Sequence, residues 1–384
     1  MQTSCGADLF LLVRSICTVT CKWIYDAPKQ QWNPEFWKRL GLEDLCDDDF
    51  SRIGSIVRDV GFNLEPGLLP DAAIHLGLRT GTSVGVGLID AHAGGIGMLG
   101  APLNIESSIP LHQRMAIISG TSSCFMCSTE TMIEVPGVWG PYLSAMVPGY
   151  WLLEAGQSAS GKLIDFIVET HPAFPELQLE SKEKDLDFFS LLSLKAEVVA
   201  KERRLDSIQF LSKDLHILPD FHGNRSPFAD SRILGLISGL SLDSSVSDLA
   251  TKYIAVCQAL IYETLLILDH MRKHGIEIKI LFGCGSLFKS EFFSQTFSDV
   301  LGLPIMIPQD INAVNRGAAI AAACASGFAQ SLQDAMLKLS SPGVMIQPKA
   351  SSKEKEYHLA KYRVFQLLYQ HQKEYADTMS HMSP

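Results

Sequence analysis

The spacing of apolar positions changes along the chain, and each change marks an element. After a short polar leader, Leu9–Tyr25 carries its apolar residues at helical spacing and reads as one helix cut from a larger domain. A polar stretch with Trp32, Trp37 and Asp47-Asp48-Asp49 follows, then short helical pieces near Phe50–Val60 and Asp71–Leu76. Leu78–Ile89 reads as a buried strand entered through Thr80-Gly81-Thr82. Met115–Ser119 and Cys124–Ser128 are short apolar runs parted by Gly120-Thr121-Ser122-Ser123, the pattern of a β-hairpin with a small-residue tip. Ser158–Glu169 predicts a helix, Glu180–Arg204 an exposed helical insertion, and Asp220–Asp230 a loop rich in Gly, Asn and Pro. Ser247–His274 predicts a long helix with Ile254, Cys257, Ile261, Leu265 and Leu268 on its apolar face. Ile276–Phe282 and Leu303–Ile307 read as strands, and Ser290–Leu301 and Asn315–Ser326 as helices. The polar tail from Lys349 to Pro384 has a helical pattern over Tyr357–Tyr375 and a frayed end. Strands alternating with helices predict an α/β fold with a central sheet.

Composition narrows the function classes. A chain of 384 residues is long enough for two domains. Its net charge of −10 argues against general nucleic-acid binding, which needs a basic surface to displace counterions. A polyanionic substrate would need a local basic or dipolar site. The nine cysteines are odd in number, and Cys124 and Cys127 form a lone CxxC with no second pair, too few ligands for zinc. Reduced thiols in a cytoplasmic protein are the expectation. With no run of 18 apolar residues, no membrane span is expected.

Five segments could carry chemistry. In Ile89-Asp90-Ala91-His92-Ala93-Gly94-Gly95 an acid follows an apolar run and precedes small residues, at the edge where α/β sheets bind ligands. Asp90 is either a proton acceptor in phosphoryl transfer or a helix cap. Ser119-Gly120-Thr121-Ser122-Ser123 is either a cradle for phosphate oxygens or an ordinary hairpin turn. Phe282-Gly283-Cys284-Gly285-Ser286 lets backbone approach a ligand, but Phe288 stands where a dinucleotide fingerprint needs its third glycine. Gly156–Leu163 nearly matches a P-loop, yet Leu163 cannot ligate a metal ion. In Phe221–Pro227, Arg225 could bind an anion or hold an acid of the protein.

Taken in order, these segments resemble the FGGY carbohydrate kinases, near their pentulose-kinase-like branch. Leu88–Gly95, Ser119–Cys124, Val135–Tyr142, Glu154–Ser158, Asp220–Pro227 and Gly317-Ala318-Ala319 carry the resemblance, which runs from about Arg14 to about Tyr375. It implies an actin-like ATPase (ribonuclease H-like) architecture of two domains, the first incomplete. Residues 1–110 would be a remnant of the N-terminal domain with 1–12 an unmatched leader, 111–345 the C-terminal domain, and 346–384 a C-terminal helix and polar tail. It implies ATP and Mg²⁺, a small sugar or polyol such as ribulose, and Asp90 as general base. Gly120, Thr121 and Ser122 would bind phosphate, and Gly283, Gly285, Ser286, Gly317 and Ala318 the nucleotide. The metal would come with ATP, with Asp90 the one protein group to consider. No nucleic-acid or membrane partner is implied, and homo-oligomerisation stays open.

The sequence departs from the family at three points. No Asp-x-Gly-Thr-x-Ser segment precedes Arg14. Phe288 and Lys289 replace a polar pair in the adenosine loop, and Asn312 stands where an acid often precedes the later Gly-Ala. A catalytically impaired chain acting as a binding or subunit-partner protein is therefore the alternative.

Overall fold

The computed structural model describes residues 13–103, 109–309, 312–380 and 382. The readings for 1–12 and for the last residues of the tail lie outside them. The first described elements are β1 (Val13–Ser15), α1 (Ile16–Trp23), α2 (Pro34–Arg39), β2 (Ile56–Arg58), α3 (Pro70–Leu76) and α4 (Asp90–Leu99). The hairpin β3 (Arg114–Ser119) and β4 (Ser123–Thr129) follows, then β5 (Trp139–Leu143), β6 (Trp151–Gln157), α5 (Gly161–Glu169), α6 (Phe174–Glu183) and α7 (Phe188–Glu202). Next come β7 (His216–Leu218), β8 (Leu236–Ser238), α8 (Val246–Lys273), β9 (Ile280–Cys284) and α9 (Glu291–Leu301). The chain continues through β10 (Ile305–Pro308), α10 (Ala313–Ala325), α11 (Leu332–Leu339), β11 (Gly343–Ile346) and α12 (Ser352–Ser380).

The central sheet has seven strands in the order β11-β10-β9-β3-β4-β6-β5, with β9 parallel to both β3 and β10 and the other pairs antiparallel. Side chains alternate across a strand, so each strand feeds two cores. Met115 and Ile117 of β3, with Phe125 and Cys127 of β4, pack toward α8. Ala116, Met126 and Phe282 point the other way, toward α4 and α10. The sheet is covered on both faces, and each fully buried Ile or Phe contributes about 1.5–3 kcal/mol. Helix α8 is long and apolar enough to cross a membrane by length and composition, but 78% of its apolar window is buried inside the protein. It is the core helix beneath one face.

Several sequence readings change. Val13–Ser15 is not helical but pairs in parallel with Ile56–Arg58, so the helix begins only at Ile16 and the supposed helical piece near Phe50–Val60 contains a strand. Long-range pairing overrides local propensity at both places. Leu78–Ile89 forms no strand; it is an extended segment whose one bridge joins Gly85 to Asn63, and Leu78 is exposed. Its partner is residues 62–68, met through scattered backbone bonds rather than a regular ladder: the Leu64 and Leu68 N–H groups donate to the carbonyls of Val84 and Thr82 (2.8 Å each), and the Val86 N–H to that of Phe62 (3.0 Å). Helices α6 and α7 are not an exposed insertion, because Leu177, Leu191, Leu192 and Ala196 are fully buried in the core around α8. The charges on these helices mark only their outer faces.

The C-terminal helix also packs rather than floats. Tyr362, Phe365 and Leu368 of α12 close over Leu218, Ile233 and Tyr262. Lys361 Nζ donates to the carbonyls of Ser212 (2.7 Å) and Leu215 (2.6 Å). Burial pulls the Lys361 ammonium down to about 8. A polar composition concealed one apolar stripe with a lysine that caps two loop carbonyls.

Candidate functional site

Two chain turns meet at one end of the sheet. Strands β3 and β9 run in parallel with Ile118 opposite Cys284, so the hairpin tip at Gly120 and the bend at Gly285 emerge side by side. Gly285 has φ +103°, and a Cβ there would lie 2.0 Å from the Ser119 carbonyl oxygen. Only glycine allows that approach. Gly283 is buried, its place for a Cβ being 2.8 Å from the Phe288 ring, and Ser286 is exposed. This explains Phe288 in the loop: it packs beneath the bend.

The tip is braced from below. The Ser123 hydroxyl donates to Ser160 Oγ (2.8 Å), and Ser119 Oγ lies 2.9 Å from Ser123 Oγ. The Ser160 and Gly161 N–H groups donate to the carbonyls of Thr121 (2.9 Å) and Gly120 (3.0 Å). The start of α5 is thereby consumed by the hairpin, which is why the near-P-loop segment is not a phosphate loop. On the outer side Thr121 is exposed, Ser122 is half-buried, and nothing lies within 4 Å of a Cβ placed on Gly120. The Gly120 N–H is committed to the Ser122 carbonyl (3.0 Å), so the tip offers a ligand the clear space over Gly120 and the two hydroxyl side chains.

Asp90 opens α4. The N-cap is Ile89, with no side-chain cap bond, so Asp90 occupies the first helical position. Its carboxylate is exposed and accepts the Ala91 N–H (2.7 Å). A negative charge there is favoured by the helix dipole. The body of α4 is locked. A Cβ on Gly94 would lie 2.4 Å from Ile118 Cδ1, one on Gly97 2.0 Å from the Ala313 oxygen, and one on Gly317 1.7 Å from the Ala93 oxygen. Helices α4 and α10 thus cross backbone against backbone. Gly317 is buried in that crossing, while Ala318 is exposed beside it.

Beside Asp90 runs a buried polar chain whose roles the sequence reading did not assign. His92 Nε2 lies 3.4 Å from Glu154 Oε2, and Arg225 donates to Glu154 Oε1 (3.0 Å). The Arg225 guanidinium also covers the Trp139 ring at 4.4 Å. Arg225 therefore holds an acid of the protein, one of its two open readings. Burial alone would push the Glu154 carboxyl up, but the His92 hydrogen bond and charge, then Arg225 and Lys22, hold it below the usual range. His92 is opposed by burial, yet its bonds with Cys17 and Glu154 raise it to about 9. The signal was present in the sequence: three separate motifs each contribute one member. Cys124 and Cys127 point to opposite faces of β4 and cannot chelate one ion. Among the described residues no three His, Cys, Asp or Glu side chains cluster to hold a metal.

The loop bearing Arg225 is anchored by a second buried pair. Asp220 and Glu263 are 4% and 2% exposed, and Asn224 Nδ2 donates to both (3.0 and 3.5 Å). Burial raises both carboxyls, Asp220 to about 6 and Glu263 well above its usual value, the latter also through the Asp220 charge. Burial and like charge both favour keeping a proton on this pair in the folded state. That raised affinity stabilises the fold at low pH and is lost as pH rises through the folded values. Unfolding free energy should therefore fall with pH above the free carboxyl range, by ~1.4 kcal/mol per pH unit while one extra proton is held. Glu263→Gln, which needs no proton, should remove that slope. Urea denaturation at several pH values between about 5 and 8 tests it. Parallel curves for both proteins would sink the shared-proton assignment.

Comparison with known proteins shows the family. Residues 115–326 match the FGGY family of carbohydrate kinases, C-terminal domain. A human FGGY carbohydrate kinase domain-containing protein is 45% identical over 371 residues, covering 96% of this chain and 66% of its own length. A D-ribulokinase of Saccharomyces cerevisiae is 34% identical over 336 residues, covering 82% of this chain and 47% of its own. The chain thus spans about two thirds of the human relative's length. Among solved structures, gluconate kinase from Lactobacillus acidophilus superposes with a TM-score of 0.71 at 16% identity, covering 97% of this chain and 66% of that one. Xylulose kinase from the same organism gives 0.69 at 16% identity, with 96% and 65% covered. These neighbours share the actin-like ATPase fold. The chain belongs to the FGGY family of carbohydrate kinases.

Proposed function

We propose that this chain transfers the terminal phosphate of ATP to a hydroxyl of a small ketose or polyol, with a pentulose such as ribulose as the favoured class. The observation that carries the reading is an exposed carboxylate at the first position of α4, on the sheet face where Glu154 and Arg225 gather, with the open tip of β3 and β4 at the end of the same sheet. Asp90 takes the proton of the attacking hydroxyl as it approaches phosphorus. Gly120 leaves room for phosphate oxygens to approach the tip, and Thr121 and Ser122 turn their hydroxyl groups toward them. Gly285 keeps the neighbouring bend low enough for a nucleotide to approach. The donor set suits Mg²⁺ carried on the nucleotide phosphates, since the site offers a lone exposed carboxylate rather than a cage. When bound, the ion neutralises charge developing on the transferred group. The D-ribulokinase name of the yeast relative supports the pentulose preference.

The test is ATP consumption by purified chain with ribulose, xylulose, gluconate and glycerol as acceptors. ADP release that depends on sugar and is fastest with ribulose is the expected result. A folded, monodisperse sample that releases no ADP with any acceptor would overturn the proposal.

A further inference from the structure

Helix α4 starts without a side-chain cap, yet its entry is held by a sulphur atom. The Ile89 N–H donates to Cys17 Sγ at 3.4 Å, and that sulphur lies 3.0 Å from His92 Nδ1. Cys17 is fully buried in α1, and His92 is fully buried in α4. The thiol therefore touches the residue before Asp90 and the residue two after it. The other His92 nitrogen carries the tie to Glu154 (3.4 Å), and through Glu154 to Arg225 (3.0 Å). Further along, the helix is fixed by its backbone contacts with α10 at Gly97 and Gly317. Gly317 reaches the helix at Ala93, so the sulphur acts just ahead of that contact, on the two residues that flank the carboxylate-bearing position.

We propose that Cys17 is a positioning residue: its sulphur brackets Asp90 by holding the Ile89 N–H on one side and the His92 ring on the other. The inference rests on the reading of Asp90 as the base. Cys17 touches no substrate and acts through α4. A sulphur spans the gap between α1 and two groups of α4 at once, because its contacts are longer than an oxygen's. Proton transfer is sensitive to such placement, since a misplacement of about 1 Å far from the chemistry can cost ~10²-fold.

The experiment compares Cys17→Ala and Cys17→Ser with the unmodified chain by steady-state kinetics and by amide hydrogen exchange at Ile89. Cys17→Ala should lower kcat by about 10- to 100-fold, with KM for ATP within about twofold. Exchange at Ile89 should accelerate by about tenfold or more as its acceptor disappears. Cys17→Ser, which restores a polar acceptor of shorter reach, should recover part of both effects. A purely space-filling role predicts the reverse: serine no better than alanine, with Ile89 exchange moving only in step with global stability. Retention of kcat within about twofold in Cys17→Ala overturns the inference. If the unmodified chain transfers phosphate to no acceptor, the kinase reading fails, and Ile89 exchange alone decides: unchanged protection in Cys17→Ala overturns the positioning role.

Discussion

Asp90→Asn should abolish sugar-dependent ADP release, with kcat falling by about 10²- to 10⁴-fold, the usual contribution of a positioned general base. The fold should hardly notice. Asp90 is exposed and caps nothing beyond the Ala91 N–H, and asparagine keeps the shape. The lost charge at the start of α4 costs only about 0.3–1 kcal/mol of dipole interaction. Thermal unfolding of the variant should lie within a few degrees of the unmodified chain. Turnover within fivefold of the unmodified chain, measured at saturating acceptor and about pH 7.5, would remove Asp90 from the mechanism.

A large loss of stability is expected at Gly317. A single added methyl group would lie 1.7 Å from the Ala93 oxygen and 2.5 Å from its carbonyl carbon, against backbone that cannot rotate away. To relieve it, α10 must move off α4, which also disturbs Gly97 against Ala313 on the same crossing. Gly317→Ala should therefore cost ~3 kcal/mol or more, the upper end of overpacking penalties. Gly87→Ala provides the contrast, since nothing lies within 4 Å of a Cβ there. Denaturant midpoints for the two variants separate the readings. A Gly317→Ala protein as stable as Gly87→Ala would mean that the helices are not in backbone contact. The expected destabilisation has a functional side too, because the same crossing fixes the helix that carries Asp90.

What was legible in the sequence was whatever local pattern decides. The hairpin tip follows from small residues between two alternating runs, and α8 follows from its helical spacing. The parallel pairing of Val13–Ser15 with Ile56–Arg58 joins segments about forty positions apart in the chain, which no local window can sense. Leu78–Ile89 misled because residue pattern does not show the regularity of pairing: its partner, residues 62–68, meets it through scattered backbone bonds and a single bridge. In the site, Asp90 and the Gly120 tip stood out by residue type. The bond of Arg225 to Glu154 did not, since it depends on the loop after β7 folding back over the β5–β6 edge. Gly317 illustrates a different gap: its residue type was conspicuous, but its burial against the Ala93 backbone is visible only in three dimensions.

The alternation of β4 also equips the molecule with its own chemical reporters. Cys124 is half-buried on the α4 side, with Arg225 3.7 Å from its sulphur, whereas Cys127 is wholly buried on the side facing α8. Burial pushes the Cys124 thiol up, so alkylation there needs alkaline conditions. Alkylation of Cys124 would then track cover over the sheet face that carries Glu154 and Arg225, while alkylation of Cys127, three residues away on the same peptide, would track only opening of the core. A single mass-mapped fragment would therefore distinguish ligand protection from unfolding without any introduced label.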